Sequence, residues 1–248
     1  MTTTPPRAAT SARLGPGRSI PIFTRLLLRG QLTRSRVVWL VLLSAIVVVT
    51  AVVSRGSGDE AAVFALGEFG LAAYVPLVAV LLATPILGDL VEDRLLVYLW
   101  LKPTPRWHLA VAAYLAAAVT AALVTVPTLV LGALISSDPG LTLAVGGAAL
   151  LGVVAYCAAF VFLGARFSFG LWIGLAYVAI WENLLARLGD GAARISIRSY
   201  LMTVLERSTT VVVELADRAW AAALIVPPAI GVVFVGLTAL TLQSRDID

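Results

Sequence analysis

Leu109–Ser136 reads LAVAAYLAAAVTAALVTVPTLVLGALIS, 28 consecutive residues without a charge. A bilayer hydrocarbon core is crossed by about 20 apolar residues in a helix. Inside it only a helix or a closed barrel satisfies its own backbone polar groups. The run therefore reads as a transmembrane helix. Similar blocks lie on both sides of it, near 37–53, 69–87, 141–164, 167–185 and 221–243. The expected fold is all-α: a polytopic membrane protein with six transmembrane helices in one domain over residues 19–248. Pro76, Pro85, Pro127, Pro227 and Pro228 fall within or beside these blocks, where kinks are expected because proline frees a carbonyl that neighbours must satisfy.

Composition agrees. The chain is 60% hydrophobic and 13% charged, whereas soluble domains have about 45–50% apolar and about 25% charged residues. The single cysteine, Cys157, lies in an apolar block, so neither an intrachain disulfide nor a cysteine metal cluster is available. The net charge of +4 does not point to nucleic acid, because the basic residues gather at the ends of apolar blocks. Residues 1–18, rich in Thr, Ala, Pro and Arg, read as a disordered cytoplasmic tail and not as a signal peptide.

Arginine placement sets the orientation. Arg7, Arg13, Arg18, Arg25, Arg29, Arg34 and Arg36 precede the first block with no acidic residue among them, which is expected to hold the N-terminus in the cytoplasm. Six spans return the C-terminus to the same side. Twelve of the 18 basic residues then lie inside, and five of the outer six fall in one segment, at Arg187, Arg194, Arg198, Arg207 and Arg218. With five spans that segment would lie inside.

Three segments are not spans. Ser19–Arg36 alternates apolar and basic residues. At 100° per residue Arg25, Arg29 and Arg36 fall on one side, opposite Ile20, Phe23 and Leu27. It reads as a helix on the inner membrane surface or, more plainly, as a solvated basic anchor. Between the second and third blocks, Asp89, Glu92 and Asp93 are expected to open a short amphipathic helix over Leu95–Leu101, closed by Lys102-Pro103. Its apolar side either meets a partner or packs under the bundle. Gly189–Trp220 is long for a connection and contains Ile195–Arg207, too apolar for a free loop; an interfacial helix, a small external gate or a plain lid would suit it.

The residues of an enzyme are missing. His108 is the only histidine, and no nucleophile elbow, zinc-protease pair or metal-ligand cluster occurs. The only lysine, Lys102, has no glycine-rich turn before it, so the chain lacks a phosphate-binding loop and any cofactor site of its own. Glu182, in Trp181-Glu-Asn183 of the fifth block, is the carboxylate placed deepest in a span. It is a pathway residue, or it snorkels outward, or it is a structural tie to Arg187 or Arg194.

Glu92-Asp-Arg-Leu-Leu-Val-Tyr-Leu-Trp-Leu-Lys-Pro103-Thr-Pro-Arg106 resembles a stretch of the type-2 ABC permease family, in which acidic residues lead through an apolar run to Pro and Arg before the third span. Trp181–Leu185 followed by Ile195–Tyr200 is similar to a branch of that family. The chain departs from the pattern with Arg94-Leu95, where Gly-Thr is common, and with Tyr114 near a position often held by lysine. The resemblance implies a non-catalytic permease subunit of an exporter, with a surface helix before the first span. It also implies a coupling helix at which Asp89, Glu92, Asp93 and Arg94 contact a cytoplasmic ABC ATPase; ATP and Mg belong to that partner. A second permease chain, identical or paralogous, would complete the pathway in a cell membrane. The Arg-over-Lys, Ala-rich usage points to a GC-rich bacterial genome. The alternative is an ATP-independent carrier titrating at Glu182, or a membrane scaffold.

Overall fold

A computed structural model describes residues 16–55, 57, 59–92, 105–136, 139–184, 195–207 and 218–244, and every regular element among them is helical. In chain order these are α1 (Pro16–Gln31), α2 (Arg34–Ser54), α3 (Asp59–Phe64), a first π-helical segment (Ala65–Tyr74) and α4 (Val75–Glu92). Then come α5 (Arg106–Ser136), α6 (Pro139–Arg166), α7 (Gly170–Ala176), a second π-helical segment (Tyr177–Glu182), α8 (Ile197–Glu206) and α9 (Trp220–Ser244).

Among the described residues five helices are long and apolar enough to cross a bilayer: Arg34–Ser54, Glu60–Asp89, Arg106–Ile135, Gly140–Arg166 and Trp220–Ser244. They match five of the six expected blocks to within a few residues, apart from Glu60–Asp89, which begins nine residues before its block. The remaining block yields only Gly170–Glu182, about 20 Å of helix at 1.5 Å per residue. The shortfall has a local cause. Phe167–Phe169 form a turn, with the Phe167 N–H donating to Leu163 and the Gly170 N–H to Phe167, and the helix ends at Glu182.

The bundle is built around α6. The Glu60–Asp89 and Gly140–Arg166 helices are 78% and 72% buried over their apolar windows, against 22% for α2 and α9, so the first two form the centre and the latter two the flanks. Small residues allow this approach. A Cβ on Gly164 would stand 2.0 Å from the Thr84 carbonyl oxygen, so α4 and α6 cross backbone to backbone there. Gly174 of α7 likewise meets Val80 of α4. Tyr74 ties three elements together, its hydroxyl lying 2.7 Å from Ser44 of α2 and 3.2 Å from Thr128 of α5. On α2, Val38, Trp39, Val41, Val49 and Val53 remain exposed, a surface suited to lipid.

Two expectations change. The helix through Ser19 stops at Gln31, Leu32 and Thr33 break it, and Arg36 belongs to α2, so Arg36 does not continue the face of Arg25 and Arg29. Moreover, α1 follows α5. Ser19 pairs with His108 and Gln31 with Thr120, and both positions advance by the same number of residues, about 18 Å of helix. The second change concerns the acidic cluster. Asp89 and Glu92 lie within α4, which runs unbroken to Glu92, and so do not open a new helix. The expected coupling helix, with Asp93 and Arg94, falls on residues 93–104, outside the described residues.

Candidate functional site

Glu182 is fully buried at the end of the second π segment. One carboxylate oxygen, Oε1, accepts the Tyr177 hydroxyl at 2.7 Å and the Ile197 N–H at 3.1 Å; the other, Oε2, accepts the Ser196 hydroxyl at 2.5 Å and the Arg198 N–H at 3.2 Å. Ile197 and Arg198 are the first residues of α8. A helix start leaves unpaired N–H groups and a partial positive charge, and a carboxylate from elsewhere in the fold supplies acceptors for both. Glu182 thus caps α8 from outside it.

Arg198 closes the cluster. Its side chain is fully buried, donating to the Glu182 carbonyl at 3.3 Å and forming an ion pair with Glu68 of the first π segment. A buried guanidinium is tolerated only when paired and hydrogen-bonded. Tyr156 of α6, also buried, is near enough to Glu182 and Arg198 to feel both charges. Four elements therefore meet at this point: both π segments, α6 and the start of α8.

Helix α8 is correspondingly deep. Ile197–Leu205 are all buried, including Ser199 and Thr203, whose hydroxyls donate to Ser196 and Ser199 carbonyls. Leu201 packs over Gly152 of α6, and Met202 and Leu205 over Gly67. This is a short helix packed into the bundle, and not an exposed lid over its surface. About 15 Å long by its rise per residue, it reaches only half the thickness of a bilayer core.

A second polar assembly lies at the far end of α4. Arg36 donates to Asp89 at 2.7 Å and to the Gln31 carbonyl at 3.3 Å, joining the α1–α2 elbow to α4. Gln31 is buried, donating to the Leu82 carbonyl at 3.2 Å and accepting from Thr120 at 2.7 Å. Arg106 at the start of α5 donates to the Leu242 and Gln243 carbonyls, satisfying the end of α9. Arg25 and Arg29 are exposed, on the side of α1 away from its buried Ser19, Phe23 and Gln31.

Of the residues expected to matter, Asp89 and Arg36 are brought together, and Glu182 sits in a cluster of its own. Glu182 is tied to Arg198; Arg187 and Arg194 lie outside the described residues. The side chain of Glu92 is likewise not described. Among the described residues no group of His, Cys, Asp and Glu is placed to hold a metal ion. Glu68 and Arg198 were missed as site residues. The available signals were a lone acid in the apolar run before Phe69 and a lone base in Ile195–Leu205. The sequence matches no family model and no curated protein.

Proposed function

We propose that the chain is the membrane-spanning permease subunit of an ATP-binding-cassette exporter, working by alternating access with a separate cytoplasmic ATPase and a second permease chain. The observation that carries this reading is the segment Glu92–Arg106, which has the family's acidic, apolar and Pro-Arg order and joins α4 to α5, two helices packed against each other and against α6. The Arg36–Asp89 pair supports it, because it links that segment's root to the α1–α2 elbow. In this reading α7 with the second π segment is the fifth crossing, both termini are cytoplasmic, and α1 runs along the cytoplasmic half of α5 with Arg25 and Arg29 turned away from the bundle. The almost uniformly Ala, Val, Leu and Gly spans suit a hydrophobic or amphiphilic cargo.

Asp89 is engaged within the chain, so Glu92, Asp93 and Arg94 are the better candidates for touching the ATPase. The test is to co-purify the chain with the ATPase encoded beside it and to measure ATP turnover. Replacing Glu92 and Asp93 by alanine is expected to weaken association and lower turnover. If neither changes, the coupling role is wrong. The carrier alternative would use Glu182, whose two oxygens are already occupied by four donors that tie it to the start of α8. Transport driven by a proton gradient in vesicles without nucleotide would favour the carrier.

A further inference from the structure

Tyr156 lies in the middle of α6, one turn after Gly152, against which Leu201 of α8 packs, and one turn before Phe160. Its side chain is fully buried and stacks on Phe160 with ring centres 5.9 Å apart. Phe160 in turn meets the ring of Tyr177, whose hydroxyl donates to Glu182. Tyr156 therefore stands beside the Glu182 cluster, with its hydroxyl close to the carboxylate. It makes no hydrogen bond there. The carboxylate is already full. Its two oxygens offer about four acceptor sites, and Tyr177, Ser196, Ile197 and Arg198 occupy them. A second buried group in the same cluster lacks a partner as well. Arg198 directs its two terminal nitrogens to the Glu182 carbonyl and to Glu68, and its Nε has no acceptor.

Buried polar side chains in native folds nearly always have a partner, in the protein or in an ordered water. We infer that one internal water molecule sits beside Glu182, bonded to the Tyr156 hydroxyl and to the Arg198 Nε–H. The chemistry of the two groups selects it. The Nε–H is a donor only, so it cannot ligate a metal ion. Both groups could donate to a halide, but the Glu182 and Glu68 carboxylates bonded to the same arginine repel an anion. What remains is a neutral molecule that accepts from the Nε–H and exchanges a bond with a hydroxyl, and water is the smallest that does both. Buried waters typically make about three such bonds. The site bears on how the bundle is joined. The hydrogen bonds on Glu182 and the Arg198 guanidinium tie α8 to the two π segments. Tyr156 belongs to α6, so the water adds a polar link from α8 to the helix around which the bundle is built.

The inference concerns this cluster alone and is independent of the ATPase reading. It is tested by radiolytic hydroxyl-radical labelling of the full chain in micelles. A brief X-ray pulse makes the radical from water where the water stands, so a fully buried side chain is modified only if water lies against it. Tyr74 is the internal reference, being the same residue type, buried, and bonded through its hydroxyl to Ser44 and Thr128. Tyr156 should be modified well above Tyr74. Modification no greater than that of Tyr74 overturns the inference. Tyr156→Phe then separates a bridged hydroxyl from a dry one by the sign of its effect. Loss of a bridged hydroxyl should raise the unfolding equilibrium constant about fivefold, the worth of one net hydrogen bond. Loss of a dry one leaves that constant unchanged or lowers it, which also overturns the inference. In Arg198→Lys, which keeps the charge but has no Nε–H, the further change Tyr156→Phe should have little effect. An undiminished effect there means that the two groups share no water. If Arg198→Lys does not fold, the labelling of the unaltered chain and the sign for Tyr156→Phe decide.

Discussion

Removing the Glu182 carboxylate is the sharpest perturbation the structure offers, because four donors converge on its two oxygens. In Glu182→Ala the Tyr177 and Ser196 hydroxyls can turn toward other acceptors, but the Ile197 and Arg198 N–H groups cannot move without unwinding α8. A buried donor left unsatisfied costs about 1–3 kcal/mol, so two of them give a loss of about 2–6 kcal/mol. That is a large part of the stability of a typical folded domain, about 5–15 kcal/mol. Glu182→Gln is milder. Its amide oxygen still accepts, while its amide N–H₂ meets one hydroxyl that can reverse and one backbone N–H that cannot. That leaves a single orphan worth about 1–3 kcal/mol. The order of stability should be wild type, then Gln, then Ala, with exposed Glu60→Gln as a control within about 0.5 kcal/mol of wild type.

The assay is unfolding in mixed micelles with increasing SDS, together with amide hydrogen exchange at Ile197 and Arg198. Exchange should rise at both amides in Glu182→Ala and at one of them in Glu182→Gln, even where the bundle stays folded. If Glu182→Ala unfolds at the wild-type midpoint, or the two amides remain protected, the carboxylate is not the cap described and the account of α8 is wrong. If Glu182→Gln is as stable as wild type yet abolishes proton-driven transport, the carrier alternative gains directly.

Three further outcomes are expected. Arg198→Met leaves Glu68 beside an apolar surface and should cost about 3–5 kcal/mol, as when one partner of a buried ion pair is removed; adding Glu68→Leu should recover much of the loss in the same unfolding assay. Gly164→Ala places a Cβ 2.0 Å from the Thr84 carbonyl and must separate α4 from α6, at a cost of about 1–3 kcal/mol. Gly147→Ala, with nothing within 4 Å, should be neutral or stabilising by up to about 1 kcal/mol through helix propensity. Reversing Arg36 or Asp89 singly should destabilise the α1–α2 elbow and reversing both should restore it. The coupling energy should be below about 1 kcal/mol and shrink in high salt, because the Asp89 side chain is 55% exposed.

What the sequence made legible is what the bilayer enforces. Leu109–Ser136 is uncharged for too long to be anything but a buried or spanning helix, and α5 follows it closely. The ends were less legible because they depend on partners distant in the chain. Glu68 looked like the residue before a span, since a lone carboxylate seldom continues one; the structure continues the helix through it because Arg198 arrives from 130 positions later. The α1 boundary was hidden for a different reason. Arg25, Arg29 and Arg36 keep one phase on an unbroken helix, and nothing in their spacing reveals that Leu32 and Thr33 interrupt it. The fifth block forms a shorter helix than expected, because apolar composition does not distinguish Phe167–Phe169 in a turn from the same residues in a helix.

The same distant pairing bears on orientation. The positive-inside argument weighs arginines as free charges in loops, and Arg198 was weighed as one of six on the outer side. Its guanidinium is instead buried and paired with Glu68, so it no longer acts as a topological charge. Arg36 and Arg106, counted on the inner side, are engaged as well, so setting all three aside leaves ten basic residues against five and the two-to-one balance unchanged. The segment that most weakened the six-span reading contains a residue that the fold consumes. Arg106 and Arg36 show the complementary case: both lie where cytoplasmic charges are expected, yet one satisfies the end of α9 and the other holds Asp89. In this chain arginines mark the helix ends and also join them, so their positions carry information about packing as well as about the side of the membrane.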